Sequence, residues 1–510
     1  HRARPVRMFR SIDAYAVEMT AAEAEALRSK PGVRWVEPEY EAYLLRSRST
    51  ATTPRRAAEP ARPATHDSIS TAQSVPWGID LVRAEELWAH TRGDTVRVGV
   101  VDTGIDFAHI DFRAVTSGRS RLMRRPPFGF DFVNNDTDPS DDLGHGTHVA
   151  GTIAAADNAY GVIGVAPEVE LHALKVLGSD GKGTSTNVVR AIDWAIENDF
   201  DVLNFSLGFD SPPPGPIAVK EAVQRAVEAG IVLVAASGND FEDGAVGLSY
   251  PAAFEDVISV GAIEEDESIA TFSQRGTGLD VVAPGVGVLS VARVGTGLSA
   301  TMIAEAVQIS DVRPFIGSAI GEVTGEYVYC GIGKPDEFPS TTRGRIALIR
   351  RGELTFNEKV RNAKEAGATG VVIFNHSAFG VNGTLLRHDT SGAVLAEDAA
   401  YDWPVAVSIL RDEGEALREA EPGLITIGVD DHSNWSWSNG TSMASPHVAG
   451  VAALLRALAP DATPAQIEIA INAGARDAGT PGWDETFGAG IVDAWGAAHA
   501  LAPERVPATP

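Results

Sequence analysis

Read for the alternation of apolar and polar positions, the chain divides into stretches of different rhythm. From Gln73 onward, short β-branched runs alternate with helical stretches. The runs are "TVRVGVVD", "VELHALKVL", "DVLNFSLG", "IVLVAASGND" and "DVISVGAI", and between them lie segments such as "TNVVRAIDWAIEND" and "AVKEAVQRAVEAG". Continuous apolar strands separated by helices predict an α/β fold with a doubly wound, mainly parallel sheet covered on both faces. Ligands bind beyond the carboxyl ends of the strands in such sheets, so candidate chemistry belongs there.

Two stretches break this rhythm. Residues 13–42 read "DAYAVEM", "TAAEAEALRSK", Pro31-Gly32 and "VRWVEPEY". Thr20 with Glu23 has capping-box spacing, Pro31-Gly32 is a stop, and the flanks alternate like strands, which predicts a small strand–helix–strand unit over residues 1–44. The second stretch, 298–432, centres on "GRIALIRRGELTFNEKVRNAKEAGATGVVIFN". Thr355 and Glu358 open its helix, Gly367 closes it, and Phe356, Val360, Ala363 and Ala366 share one face. This predicts an α/β domain inserted into a larger one that occupies 72–297 and 433–502, followed by a tail at 503–510. Residues 45–71 shift to Ser, Thr, Pro, Ala and Arg, the composition of an exposed linker open to proteolysis.

Length and charge narrow the function classes. A chain of 510 residues exceeds one ordinary core. The net charge is −27, yet residues 1–70 hold 12 basic against 9 acidic side chains, so the acidity lies in the remainder. Such a surface repels nucleic acid and anionic membranes and argues against both as partners. No apolar run approaches the roughly 18 residues of a membrane span. Cys330 is the single cysteine, which excludes an intrachain disulfide and a cysteine-based metal site, and it reads as a small, partly buried residue. Because the chain begins with His1 rather than Met, the natural N-terminus is expected to lie upstream, where any secretion signal would have stood.

The strand ends carry an acid, an imidazole, an amide and a hydroxyl. Asp102 closes "VRVGVVD", His145 stands in "DLGHGTHVAGT", Asn239 ends "IVLVAASGND", and Ser442 opens the apolar helix of "NGTSMASPHVAGVAALLRAL". These are the parts of serine-based acyl transfer. A hydroxyl attacks once a base removes its proton, a carboxylate orients that base, and an amide donor stabilises the oxyanion. Asp102-Thr103-Gly104 by itself equally fits an aspartic protease, but that mechanism needs two carboxylates sharing a proton, and the chain holds no second Asp-Thr-Gly or Asp-Ser-Gly. His145 and His148 have the spacing of a metal pair without an evident third ligand. His447 and Met443 read as packing, and Asp141 with Asp142 as solvated loop residues.

Three motifs in chain order, "VVDTGID", "HGTHVAGT" and "NGTSMASPHVAG", make residues 72–297 and 433–501 resemble the subtilisin-like serine proteases, the subtilases. The resemblance implies Asp102 as orienter, His145 as general base and acid, Ser442 as nucleophile and Asn239 as oxyanion donor. It makes Ser206, Leu207 and Gly208 of "NFSLG" and Ala236, Ser237 and Gly238 of "AASG" the walls of the substrate pocket, with Gly181 and Gly183 at a further substrate edge. Asp240, next in sequence to Asn239, would favour a basic substrate side chain. A structural calcium site is implied at Gln73, Asp111, Ala156, Asn158, Tyr160 and Val162, hard oxygen donors suited to Ca²⁺. Residues 1–44 resemble the second half of an inhibitor propeptide, with processing expected between about Leu45 and Ser74. The insertion resembles a protease-associated domain, which carries no catalytic residues and serves as lid, positioning surface or spacer. Together these imply a secreted serine endopeptidase made as a zymogen, acting on proteins or peptides. A catalytically silent binding protein on the same scaffold is the reading from another class.

Overall fold

The computed structural model describes residues 5–45, 73–116, 119–122, 128–209, 211–376, 380–381, 383–387 and 394–509. The linker expected over 45–71 falls, apart from Leu45, outside the described residues. The chain forms two compact units, one of His1–Leu45, Gln73–Gly285 and Gly440–Pro510, the other of Val286–Asn439.

The first unit is built on a seven-stranded sheet. From edge to edge it runs Val281–Pro284, Ile258–Ile263, Val232–Ala236, Val202–Phe205, Arg97–Asp102, Glu170–Lys175 and Gly129–Asp131. Every neighbouring pair is parallel. Val98, Val100, Leu203, Phe205, Val232 and Val234 are at most 1% exposed although they alternate across the sheet, so both faces are covered and the apolar runs need no polar alternation. Helices Ser185–Glu197 and Ile217–Glu228 supply Val188, Ile192, Val219 and Val223 to one core. Helices His145–Ala154 and Thr441–Leu458 pack on one another and on the sheet. The latter is buried nearly all round, in keeping with its mostly small and apolar residues.

The chain leaves Arg97–Asp102 toward Glu170–Lys175 on one side, then crosses to Val202–Phe205 on the other. The winding direction therefore reverses at Arg97–Asp102, and the carboxyl ends there border a crevice.

The amino-terminal piece departs from expectation at one element. Strands Pro5–Phe9 and Ala14–Val17 pair antiparallel, and helix Ala21–Arg28 starts at the Thr20–Glu23 capping box. The strand expected across 33–40 is absent. Pro38 lacks an N–H, and the polar groups around it hold other partners. The Trp35 Nε1–H and the Arg34 guanidinium donate to Glu221 at 2.8 Å each. Glu37 accepts the Ile217 and Ala218 N–H groups at 2.8 Å, capping the N-terminus of Ile217–Glu228. The strand forms further on, at Glu41–Leu44.

The second unit holds an eight-stranded sheet ordered Gly297–Ala304, Leu424–Ser433, Gly321–Tyr329, Ile346–Arg350, Gly370–Phe374, Val405–Ile409, Val312–Ile316 and Gly383–Thr384. Its parallel centre is Ile346–Arg350, Gly370–Phe374 and Val405–Ile409. Helix Phe356–Glu365 begins at the Thr355–Glu358 capping box. Val360 and Ala363 are fully buried, Phe356 and Ala366 half so, and Asn357 and Lys359 are buried as well. The Lys359 amino group is satisfied by the Ile332 and Arg350 carbonyls. Cys330 is buried, and burial pushes its thiol up to about 11, which keeps it a packing residue. Among the described residues no helix is long and apolar enough to cross a membrane.

Candidate active site

Each expected side chain sits where an element starts or stops. Asp102 is the last residue of Arg97–Asp102 and is fully buried. Its Oδ1 accepts the Thr103 N–H at 2.7 Å. His145 is the first residue of His145–Ala154, and its Nδ1 lies 2.8 and 3.0 Å from the two Asp102 oxygens. Two acceptors facing Nδ1 place the proton there and leave Nε2 as the basic atom. Burial of the imidazole disfavours its charged form. The Asp102 carboxylate, by charge and by hydrogen bond, outweighs this with help from Asp141, so the His145 pKa lies above the ordinary 6.5.

Ser442 is the second residue of Thr441–Leu458 and 1% exposed. Its hydroxyl donates to the Ser206 carbonyl at 3.2 Å, while the Ser206 hydroxyl donates to the Ser442 carbonyl at 2.9 Å. Asn204 donates to the Ser206 hydroxyl at 2.9 Å and accepts from Ser445 at 2.6 Å, which ties the end of Val202–Phe205 to the first turn of the serine helix. His447, one turn beyond Ser442, is bonded through Nδ1 to the Met443 carbonyl at 2.9 Å. Burial pushes its pKa down to about 4, so it stays neutral and packs.

Asn239 follows the Val232–Ala236 strand. Its Oδ1 accepts both the Thr441 N–H and the Thr441 hydroxyl at 2.9 Å. With the oxygen held in this way the amide can point only its Nδ2–H₂ outward, and Nδ2 donates to the Leu45 carbonyl at 2.7 Å.

That contact belongs to a bound segment. Glu41–Leu44 lies as the middle strand of a three-stranded antiparallel sheet. On one side Leu207, Gly208 and Phe209 pair with Leu44, Tyr43 and Ala42. On the other Thr184, Gly183 and Lys182 pair with Glu41, Ala42 and Tyr43, and the Leu44 N–H donates to the Gly181 carbonyl at 3.0 Å. A Cβ at Gly208 would stand 2.6 Å from Leu45 Cδ2, so the absent side chain is what makes room for Leu45. Of the pocket residues expected from sequence, Leu207, Gly208, Gly181 and Gly183 line the bound strand, while Ser206 bonds Ser442 and Asn204. Ala236, Ser237 and Gly238 lie at the buried strand exit before Asn239, where Ser237 donates to the Gln274 carbonyl at 2.8 Å and Gly238 to the Thr441 hydroxyl at 3.2 Å.

The six residues expected to hold calcium lie in one hydrogen-bonded cluster. The Gln73 Nε2–H₂ donates to the Ala156 carbonyl at 2.6 Å and to that of Val162 at 3.0 Å, and its oxygen accepts the Ala159 N–H at 3.2 Å. Asp111 is buried; its Oδ2 accepts the Val162 N–H at 3.1 Å and its carbonyl accepts the Ala156 N–H at 2.7 Å. The Asn158 Oδ1 accepts the Tyr160 N–H at 2.9 Å. One carboxylate, two side-chain amides and three main-chain carbonyls form a donor set whose chemistry fits Ca²⁺.

Three residues of the site were not legible in sequence. Asp141, read as loop solvation, is 6% exposed. Its Oδ1 accepts from the Thr103 hydroxyl and the Leu143 and Gly144 N–H groups, and its Oδ2 from both donors of Thr147. It locks the loop before His145 to the loop after Asp102. Thr441 fixes the Asn239 amide, and Leu45 occupies the cleft. The neighbouring Asp142 is half-exposed and bonds the buried Lys175 at 2.8 Å, so nothing in the doublet told the two carboxylates apart.

A carboxylate bonded to an imidazole, a buried serine at a helix start and an amide that donates to a peptide carbonyl are the groups that serine-based acyl transfer uses. The subtilase family profile matches residues 93–308 and 424–490, more than half of the chain, and the PA domain profile matches 323–417. The chain belongs to the subtilase family and is a serine endopeptidase with a PA domain inserted in its subtilisin-like fold. It is 44% identical to subtilisin DY of Bacillus licheniformis over 237 residues, 46% of this chain and 81% of that protein. It is 39% identical to the alkaline protease of Shouchella clausii over 285 residues, 55% of this chain and 63% of that one, hence less than two thirds of its length. A crystal structure of a psychrophilic subtilisin-like protease from the Antarctic psychrotroph Pseudoalteromonas sp. AS-11 matches with a TM-score of 0.69 at 27% identity, covering 85% of this chain and 99% of that chain.

Proposed function

We propose that the chain is a secreted serine endopeptidase made as a zymogen, with Ser442 as nucleophile, His145 as general base and acid, Asp102 as its orienter and Asn239 as oxyanion donor. In this reading residues 1–44 are an inhibitor propeptide remnant, 45–71 a processed linker, 72–297 with 433–502 the catalytic domain, and 298–432 the inserted domain. The observation that carries it is the Asn239 Nδ2–H aimed at the Leu45 carbonyl next to a strand-paired segment, with the Asn239 oxygen bonded to Thr441, the neighbour of Ser442; the Asp102–His145 hydrogen bond supports it.

The steps follow from the donors and acceptors. The Ser442 hydroxyl turns from the Ser206 carbonyl to His145 Nε2, loses its proton there and attacks the substrate carbonyl carbon. The carbonyl oxygen becomes anionic and takes the Asn239 Nδ2–H, with the start of Thr441–Leu458 adding the favourable end of its dipole. His145 passes the proton to the departing amine, leaving an acyl-enzyme that water cleaves by the same sequence in reverse.

Ser442→Ala is expected to lose peptidase activity by more than about a thousandfold and to stop removal of residues 1–44. Unlabelled Ser442 after exposure of the processed protein to a fluorophosphonate would sink the enzyme reading. Gln73, Asp111, Ala156, Asn158, Tyr160 and Val162 would hold a structural Ca²⁺, supported by their convergence and oxygen chemistry. A bound ion stabilises only the folded state, so excess chelator is expected to lower the melting temperature by several degrees, roughly 2–3 kcal/mol at ion levels about a hundredfold above Kd. An unchanged melting temperature by calorimetry counts against the site.

A further inference from the structure

Residues 41–45 are held as a substrate would be, and their register identifies a bond. Main-chain pairing on both sides fixes Ala42, Tyr43 and Leu44 in place. The segment continues to Leu45, whose carbonyl takes the Asn239 Nδ2–H at 2.7 Å. An oxyanion donor addresses the carbonyl that is to be attacked, so the carbonyl it holds names the scissile peptide. Leu45 is 4% exposed and its Cδ2 fills the space left open by Gly208. Leu44 is likewise buried, against Gly181, and Ala42 is fully buried, whereas Tyr43 is half-exposed.

We propose that the first self-cleavage falls between Leu45 and Arg46, and that the cleft prefers an apolar, leucine-sized side chain immediately before the bond it cuts. The proposal rests on the serine-protease reading of the site. In the step, Ser442 Oγ bonds to the Leu45 carbonyl carbon and the bond to the Arg46 nitrogen breaks. That nitrogen receives the Ser442 proton through His145. Water then supplies the oxygen that completes the Leu45 carboxylate, regenerating the Ser442 hydroxyl. No oxidant or further reactant is needed. Leu45 would remain in the cleft as product, and the amino-terminal piece would leave only as its other contacts give way. Those contacts are substantial: Asp193 accepts the Arg10 N–H at 2.8 Å, the Ser11 N–H at 3.2 Å and the Ser11 hydroxyl, while Glu37 caps the Ile217–Glu228 helix.

Two candidate specificities compete at this position. Asp240, beside Asn239, would draw a basic residue, and arginines occur at 46, 48, 55, 56 and 62 of the following segment. The pocket seen here instead holds an uncharged branched side chain, with a glycine where any larger residue would intrude.

The test is to refold the purified full chain and follow it by intact mass, quenching with acid at early times. The first fragment released is expected to be residues 1–45. A first fragment ending at Arg46, or at any other residue, would overturn the assignment while leaving the protease reading standing. Cleavage that persists in Ser442→Ala, or failure of the wild-type chain to react with a fluorophosphonate, would instead strike the underlying reading. Because Leu45 substitutions could disturb folding, a second measurement uses the mature wild-type enzyme on peptide anilides of sequence Ala-Tyr-Leu-X. With X as leucine, kcat/KM is expected to exceed that with arginine at least tenfold; equal or higher turnover of the arginine peptide would refute the preference. In Gly208→Val the leucine peptide should lose at least tenfold in kcat/KM relative to the X = alanine peptide. An unchanged ratio would show that Gly208 does not shape the pocket.

Discussion

In the inserted unit, the fully buried Asp398 accepts hydrogen bonds from Asn357, from the Arg387 main chain and guanidinium, and from Arg361. In the outer unit, the equally buried polar groups at the strand ends are satisfied only in part by their own surroundings. Asn239 has its oxygen committed to Thr441 and its amide hydrogens turned to a carbonyl from residue 45, far away in sequence. Both units are α/β sheets with apolar cores, the first all parallel and the second mixed around a parallel centre. One closes its buried charge upon itself, the other leaves a donor pointing where another chain segment can enter. A self-satisfied network stabilises a fold, while a half-satisfied one, held rigid from behind, recognises.

The sharpest way to break the comparison lies in the inserted unit. Asp398→Ala strands Arg361 and Arg387, and should cost about 3 kcal/mol of stability, the low end for a broken buried pair because both guanidiniums are partly exposed. Chemical denaturation monitored for this unit checks it, and a loss under about 1 kcal/mol would mean the network is not structural. Burial would raise the Asp398 carboxyl, but the Arg387 and Arg361 bonds hold it well below the usual carboxylate range. Its contribution is therefore complete above about pH 4 and is lost as pH falls toward the depressed folded value.

A smaller effect is expected at the outer site. Thr441→Val removes one of two bonds that fix the Asn239 oxygen, and should lower kcat roughly tenfold, about 1.4 kcal/mol, with KM within about twofold. An equal loss spread over KM would mean Thr441 serves binding rather than aiming the amide. Smallest is a shift of the acid limb. In the proposed mechanism His145 must be neutral, so kcat/KM is expected to rise with pH through its pKa, with a midpoint above 6.5 since the Asp102 charge outweighs burial. Emptying the cleft removes some of that burial and moves the midpoint further up. A midpoint at or below 6.5 in a pH–rate profile would show that desolvation prevails.

Much of this architecture was written in local order. Continuous apolar runs with helices between them dictate a doubly covered parallel sheet, because no other arrangement hides both faces of such strands. Capping boxes at Thr20 and Thr355 place helix starts to the residue, since the hydrogen bonds involved span only three positions. Asp102, His145, Asn239 and Ser442 were recognisable for the same reason: each marks an element boundary, and the motifs around them are contiguous. What local order could not decide was pairing at a distance. The alternating 33–40 stretch had strand character, yet Glu221 and the start of the Ile217–Glu228 helix claimed its polar groups, and the strand moved to Glu41–Leu44. Asp141 looked like any loop carboxylate until Thr103 and Thr147 closed around it. Thr441 carried no reading of its own until Asn239, distant in sequence, lay against it. Leu45 was one end of a broad processing range until its carbonyl met Asn239. A sequence states which side chains stand at the ends of its elements; which of them face each other depends on a winding order that brings distant strand ends to one crevice, and only the tertiary structure holds that information.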